Sequence, residues 1–225
     1  MLARGIFITF EGSEGCGKST QIRRLAARLE KENCRAILTR EPGGTPIGEE
    51  IKQLLQFSKI GHAMTAEAEL LLFIASRAQL VREVIAPALQ SGVTVIADRF
   101  YDSTTVYQGV ARRLNAGTVK FMNDFAVGDC RPNLTFVLDL DPKIARERML
   151  LRPRAVDAPD RMEQQPLDFY EAVRDGYLDL AKNEPERIRV MDGAKSAEEI
   201  EEEIWRHLEP VLKPTANEPV SIRHR

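Results

Sequence analysis

Residues 5–19 read GIFITFEGSEGCGKS. The first part, 5–10, is a short apolar run of β-branched and aromatic residues, which predicts a buried strand. Gly12 to Ser19 fits G-x-x-x-x-G-K-[ST], the phosphate-cradling P-loop. Ile22, Leu25, Ala26 and Leu29 then recur at helical spacing, so 18–32 predicts an amphipathic helix. Strand, loop and helix in that order are the context the motif needs. The glycines let the backbone turn its N–H groups inward as an anion nest. Lys18 is placed to reach the outer phosphates and the Ser19 hydroxyl to bind Mg²⁺. The helix directs its positive end at the same charge. Gly12, Ser13, Glu14, Gly15, Cys16, Gly17, Lys18, Ser19 and Thr20 are therefore read as the seat of a nucleoside triphosphate. A P-loop identifies a nucleotide but not a reaction.

Outward from this loop, strand-length apolar runs alternate with helical patterns. Further strands are predicted at 35–40, 93–97, 134–140 and 188–191. Helices are predicted at 67–90 as one long apolar unit and at 165–182. Thr45-Pro46 and Asp141-Pro142 read as N-cap and first helical position. Ser196-Ala-Glu-Glu199 reads as a capping box opening the last helix. Strands apolar on both faces and separated by helices imply a three-layer α/β domain, with a five-stranded parallel sheet and helices on both faces. Residues 1–212 are read as one domain with an exposed Pro-, Arg- and Asp-rich loop at 151–163, and 213–225 as a polar tail.

Bulk properties narrow the setting. The 225 residues are 43% hydrophobic and 29% charged with net charge −2, the make-up of a globular protein with a proper core. No basic surplus points to nucleic acid or an anionic membrane. Three widely spaced cysteines, Cys16, Cys34 and Cys130, imply neither a zinc cluster nor a disulfide framework, and a reducing compartment, the cytoplasm, fits them. No signal peptide or membrane span is read in the chain.

Two carboxylates compete for the metal. Asp98 follows the run VTVIA and is succeeded by Arg99; Asp139 lies in VLDLD. Asp98 is preferred because its pairing with Arg99 sets a metal carboxylate and a phosphate-binding guanidinium at one strand edge. Asp139 has a structural alternative, since it sits where a strand hands over to a helix. Phosphoryl transfer calls for positive charge around the moving group, and arginine supplies it as a fixed fork. Arg40 and Arg99 lie at carboxyl ends of strands, where ligands of open α/β sheets gather. Arg77 sits on an otherwise apolar helix, where snorkelling or pairing with an acid is the usual role. Arg152, Arg154 and Arg161 crowd the loop at 151–163.

FEGSEGCGKST (10–20), TREPGGTPIGE (39–49), LLLFIASRAQ (70–79), DRFYDSTTVYQG (98–109), LDLDP (138–142) and DRMEQQPLDFYEAVRDGY (160–177) together resemble the bacterial thymidylate kinases. The likeness spans roughly 5–208. TREPGGT with SRAQ and DRF…YQG is far more specific than the P-loop. The resemblance implies a P-loop kinase fold and transfer of the γ-phosphoryl of ATP to dTMP, giving dTDP and ADP in dTTP biosynthesis, in a homodimer. It implies Glu14 at the sugar 3′-OH, Phe73 stacked on thymine, Arg77 and Gln108 at the base, and Tyr107 under the deoxyribose. Arg40 and Arg99 would hold the dTMP phosphate, with Ser103 in the same pocket. Lys18, Arg99 and Asp98 would serve catalysis, with Ser19 and Asp98 on Mg²⁺.

One branch of the family carries a catalytic arginine in the P-loop. Here that position is Gly15, so the expected arginine finger moves to the lid, to Arg154 with Arg152. Leu80 stands where the family often has His, and Val106 and Ala111 replace commoner small residues. Cys16 lies at the anion nest, a setting that lowers a thiol's pKa. The apolar helix 67–90 could form the dimer surface or core. Two other classes remain in view. Another P-loop deoxynucleoside or nucleotide kinase would share the P-loop and DR pair without TREPGGT. A GTPase switch would need NKxD, which does not occur.

Overall fold

The computed structural model describes residues 5–58, 61–151, 161–162 and 164–212. Five parallel strands form one sheet: β1 (Phe7–Glu11), β2 (Ala36–Arg40), β3 (Thr94–Asp98), β4 (Leu134–Asp139) and β5 (Ile188–Asp192), in the order β2-β3-β1-β4-β5. The β1 run is buried throughout, as expected of a central strand covered on both faces. Its side chains alternate between layers. Ile8 and Phe10 enter the cluster built with α1 (Lys18–Lys31) and α9 (Ala197–Leu212) through Leu25, Leu29, Ile204 and Leu208. Phe7 enters the opposite cluster with Leu80, Ile85 and Phe100. Thr9 and Glu11 share the parity of Phe7, so two polar side chains are carried into that second layer, both fully buried.

Register matters for the site. Phe10 pairs with Asp98, and Asp98 with Arg40. The carboxyl ends of β1, β2 and β3 are therefore level, and Asp98 and Arg40 emerge side by side along one edge.

The predicted caps form. Thr45 accepts from Gly48 N at 3.0 Å, opening α2 (Pro46–Lys52). Asp141 accepts from Lys143 N at 2.8 Å at the start of α7 (Pro142–Leu150). Ser196 and Glu199 exchange bonds of 2.9 and 3.2 Å in the capping box. The long helix predicted at 67–90 is interrupted. α3 (Ala66–Leu80) passes through a π turn at Val81–Ile85 into α4 (Ala86–Gln90). Pro87 explains it: proline offers no N–H to the carbonyl four residues back and crowds it, so the preceding turn widens. Two helical stretches had no distinctive pattern. α5 (Tyr101–Thr104) runs on as a π turn, Thr105–Ala111. α6 (Ala116–Val127) buries Val119 and Ala126 but exposes Phe121 and Phe125, and so is apolar on two sides. α8 (Leu167–Asn183) packs Phe169, Val173 and Tyr177 toward Tyr107 and Val137.

Candidate functional site

β1 delivers the chain into the P-loop at Gly12. At Gly15 φ is +81°, and a Cβ would lie 2.2 Å from the carbonyl oxygen of Ala145 on α7. No side chain fits, which gives a steric reason for glycine at this position. Lys18 Nζ donates to the carbonyls of Gly12 (3.1 Å) and Ser13 (2.7 Å), holding the ammonium over the loop. Ser19 Oγ donates to Asp98 Oδ2 at 3.2 Å. The other candidate, Asp139, is gripped on both oxygens by Arg174, at 2.6 and 2.8 Å. The structure thus brings Asp98, not Asp139, to the P-loop serine. Cys16 is buried in the sheet–α1 cluster, and its Sγ lies 3.8 Å from Lys18 Nζ.

Arg99 occupies the left-handed region at φ +70°, an arrangement costing a non-glycine residue about 1–3 kcal/mol. Its surroundings over-determine it. Arg99 N donates to Phe10 O at 2.9 Å, and the next N–H, of Phe100, donates to Glu11 Oε1 at 2.8 Å. The guanidinium donates to Glu14 (2.6 Å), Ser103 (3.1 Å), Tyr107 (3.2 Å) and Tyr177 (3.3 Å). Tyr107 also donates to Glu14 at 3.0 Å. Burial pushes the Glu14 carboxyl up, but Arg99 and Lys18 outweigh it and hold it below the usual range. Burial raises both phenols well above theirs, so each remains a proton donor.

The cleft has two adjoining chambers. One is lined by Gly15, Gly17, Lys18, Ser19, Arg40, Lys52, Phe57 and Asp98. The other is lined by Phe73, Ser103, Thr104, Tyr107, Gln108 and Met162. Glu14, Glu41, Pro42, Gln56 and Arg99 line both. The P-loop glutamate and the arginine after β3 therefore stand at the boundary.

Two expected residues lie in less direct positions. Arg40 is half exposed and paired with Glu49 at 2.8 Å. Arg77 is 1% exposed and lies beneath the chambers. It forks onto Glu41 through Nε (2.9 Å) and Nη2 (2.5 Å), and also reaches Asn123 (2.8 Å) and Phe100 O (3.2 Å). Burial pushes the Glu41 carboxyl up, and Arg77 draws it back only in part.

Sequence reasoning missed several members of the site. Glu11 accepts from Phe100 N, Ser103 and Tyr177 and is fully buried. Its signal was an acid closing an otherwise apolar strand. Glu69 on α3, also buried, accepts from Gln108 at 2.8 Å and pairs with Arg112 (3.3 Å) and Arg161 (2.5 Å). Arg161, at the far side of the predicted lid, also donates to Leu55 O at 3.0 Å. It is thus an anchor of that segment. Arg152 and Arg154 lie outside the described residues.

A phosphate nest, an Arg99–Glu14 ion pair at the boundary and an aromatic–polar second chamber suit a P-loop enzyme with two substrates. Comparison with known proteins agrees. The thymidylate kinase family model matches residues 10–204. The thymidylate kinase of Syntrophotalea carbinolica is 48% identical over 205 residues, covering 88% of this chain and 93% of its own. That of Symbiobacterium thermophilum is 45% identical, covering 92% and 94%. The crystal structure of thymidylate kinase from Ehrlichia chaffeensis superposes with a TM-score of 0.72 at 34% identity, over 93% of this chain and 99% of that one.

Proposed function

This chain belongs to the thymidylate kinase family, and we propose that its two chambers divide the reaction between donor and acceptor. It transfers the γ-phosphoryl group of ATP to dTMP, giving dTDP and ADP. The observation carrying the assignment of chambers is the boundary pair: Glu14 and Arg99 line both and are joined at 2.6 Å. ATP phosphates lie along residues 12–20 with Lys18 on the outer phosphates. dTMP enters the second chamber, its base between Phe73 and Gln108 with Arg77 behind. Its sugar lies on Tyr107 and Glu14, and its phosphate is met by Arg99, Arg40 and Ser103. Catalysis is positioning and charge stabilisation rather than covalent chemistry.

Mg²⁺ fits the donor set. Ser19 and Asp98 offer hard oxygens 3.2 Å apart, and Mg²⁺ takes few protein ligands beside phosphates and water. Among the described residues no cluster of three or more His, Cys, Asp or Glu forms a cage, so a two-ligand site is the consistent one. When bound, the ion would neutralise charge on the bridging phosphates.

Arg154, with Arg152, is proposed as the finger over the moving phosphoryl. A finger is worth about 10³-fold or more in turnover, so Arg154→Ala or Arg152→Ala should cut kcat by at least ~10²-fold. A loss of only a few-fold in both assigns that charge elsewhere. The chain is proposed to act as a cytoplasmic homodimer. Among the described residues no helix is long and apolar enough to cross a membrane.

The test of the activity is a coupled ADP-release assay with dTMP, dUMP, dCMP and thymidine as acceptors. dTMP should be strongly preferred, and thymidine should be a poor acceptor because it lacks the phosphate that Arg99 and Arg40 engage. Equal turnover of thymidine would make this a nucleoside kinase instead.

A further inference from the structure

We propose that Glu11 is a positioning residue for acceptor recognition: its buried carboxylate orients Arg99 through the hydroxyls of Ser103 and Tyr177. The proposal rests on the reading of Arg99 as a ligand of the dTMP phosphate. Glu11 Oε1 accepts from Phe100 N at 2.8 Å. Glu11 Oε2 accepts from Ser103 Oγ at 2.6 Å and Tyr177 Oη at 2.8 Å. Arg99 Nη1 donates to the same two hydroxyl oxygens, at 3.1 and 3.3 Å.

Proton counting decides what this does. Each hydroxyl has one proton and two lone pairs. The two hydroxyls also stand 2.8 Å apart; the carboxylate draws their protons to its side, directly or through the neighbouring hydroxyl, so a lone pair on each is left for the guanidinium. The other carboxylate oxygen pins the peptide immediately after Arg99, whose left-handed backbone needs support. Only the ionised carboxylate, an acceptor on both sides, meets these demands. A glutamine of the same shape would turn an N–H₂ either on Phe100 N–H or on the two hydroxyls.

Burying an acid here is otherwise costly. Burial and Asp102 on α5 push Glu11 up to about 7, while Arg99, Ser103 and Tyr177 pull it down. A group kept in so unfavourable a place calls for a role, and the nearest consequence of its charge is the direction of the Arg99 fork.

The test is steady-state kinetics of Glu11→Gln, Tyr177→Phe and Arg99→Ala, varying dTMP and ATP separately. Misdirecting a charge-assisted contact should raise the dTMP KM of Glu11→Gln ~10-fold or more. Its ATP KM should stay within about twofold. Tyr177→Phe, which leaves Ser103 as the only relay, should raise the dTMP KM several-fold and add little in the Glu11→Gln background. An unchanged dTMP KM in Glu11→Gln, or an equal rise in both KM values, overturns the proposal. If that variant does not fold, an unchanged dTMP KM in Tyr177→Phe overturns it. Arg99→Ala separates the two layers. A normal dTMP KM there removes the reading of Arg99 and this proposal with it. A raised value with a normal Glu11→Gln removes only the role of Glu11.

Discussion

At Gly15 a positive φ and a backbone oxygen of α7 leave no room for a Cβ. Gly15→Ala should cost about 1–3 kcal/mol and raise the ATP KM, read by thermal melting and kinetics. Gly15→Arg should not gain catalysis, since an arginine there displaces α7 before it reaches a phosphate. Arg77 and Glu41 form a pair buried to 1% and 3%. Removing one partner strands the other, and such losses run to about 3–5 kcal/mol. Arg77→Met should show this in urea unfolding, and Glu41→Gln in the same chain should recover part of it. Glu11 titrates near 7 when folded against an ordinary value of 4.5. The folded state therefore holds that proton more tightly, so this group's contribution to stability falls as pH rises from 4.5 to 7 and is level above. Glu11→Gln should flatten that part of the profile, measured by denaturant unfolding at pH 5 and 7.5 against the unmodified protein.

Among elements, the joint at Glu69 ties together more chain than any pattern reveals. It binds α3 to the π turn after α5 and the residue following it through Gln108 and Arg112, and to Arg161 near the end of the predicted lid. Arg161 reaches Leu55 and Gln56 as well. Glu69→Gln should loosen the second chamber, raising the dTMP KM while the ATP KM holds, and should speed proteolysis within 151–163. All five strands, the P-loop helix and three N-terminal caps were legible, because apolar runs and cap residues act locally. Ser19 and Asp98 were picked out from the P-loop pattern and the strand edge and stand together; Phe73, Tyr107 and Gln108 came from the resemblance and line the second chamber. Glu11, Glu41 and Glu69 were not, because a buried acid looks like any surface acid until its partner is known. Those partners lie 92, 36 and 39 positions away. The π turn at Val81–Ile85 was hidden for a different reason: the apolar period continues through it, and only Pro87 marks the break.

At the scale of the molecule, α3 and α6 pack through Leu70, Ile74, Val119 and Ala126, leaving Leu71 54%, Phe121 72% and Phe125 72% exposed. Large apolar side chains grouped on neighbouring helices mark interaction surfaces, and α6 adds to the face expected on the long helix alone. Phe121→Glu with Phe125→Glu should convert the proposed dimer to monomer in sedimentation velocity; an unchanged species places the interface elsewhere. The strand order has a further consequence, in time rather than space. Among the described residues β1 is the first strand in the chain, yet it stands at the centre of the sheet, between β3 and β4. A ribosome must emit more than half the chain before both flanks of β1 are available, and Glu11 waits for Tyr177 longer still. β1 thus waits for β4 before both of its flanks are covered, and β4 in turn waits for β5. Chains cut short before α8 should collect in the insoluble fraction, and this protein should lean on chaperones during translation more than its modest size implies.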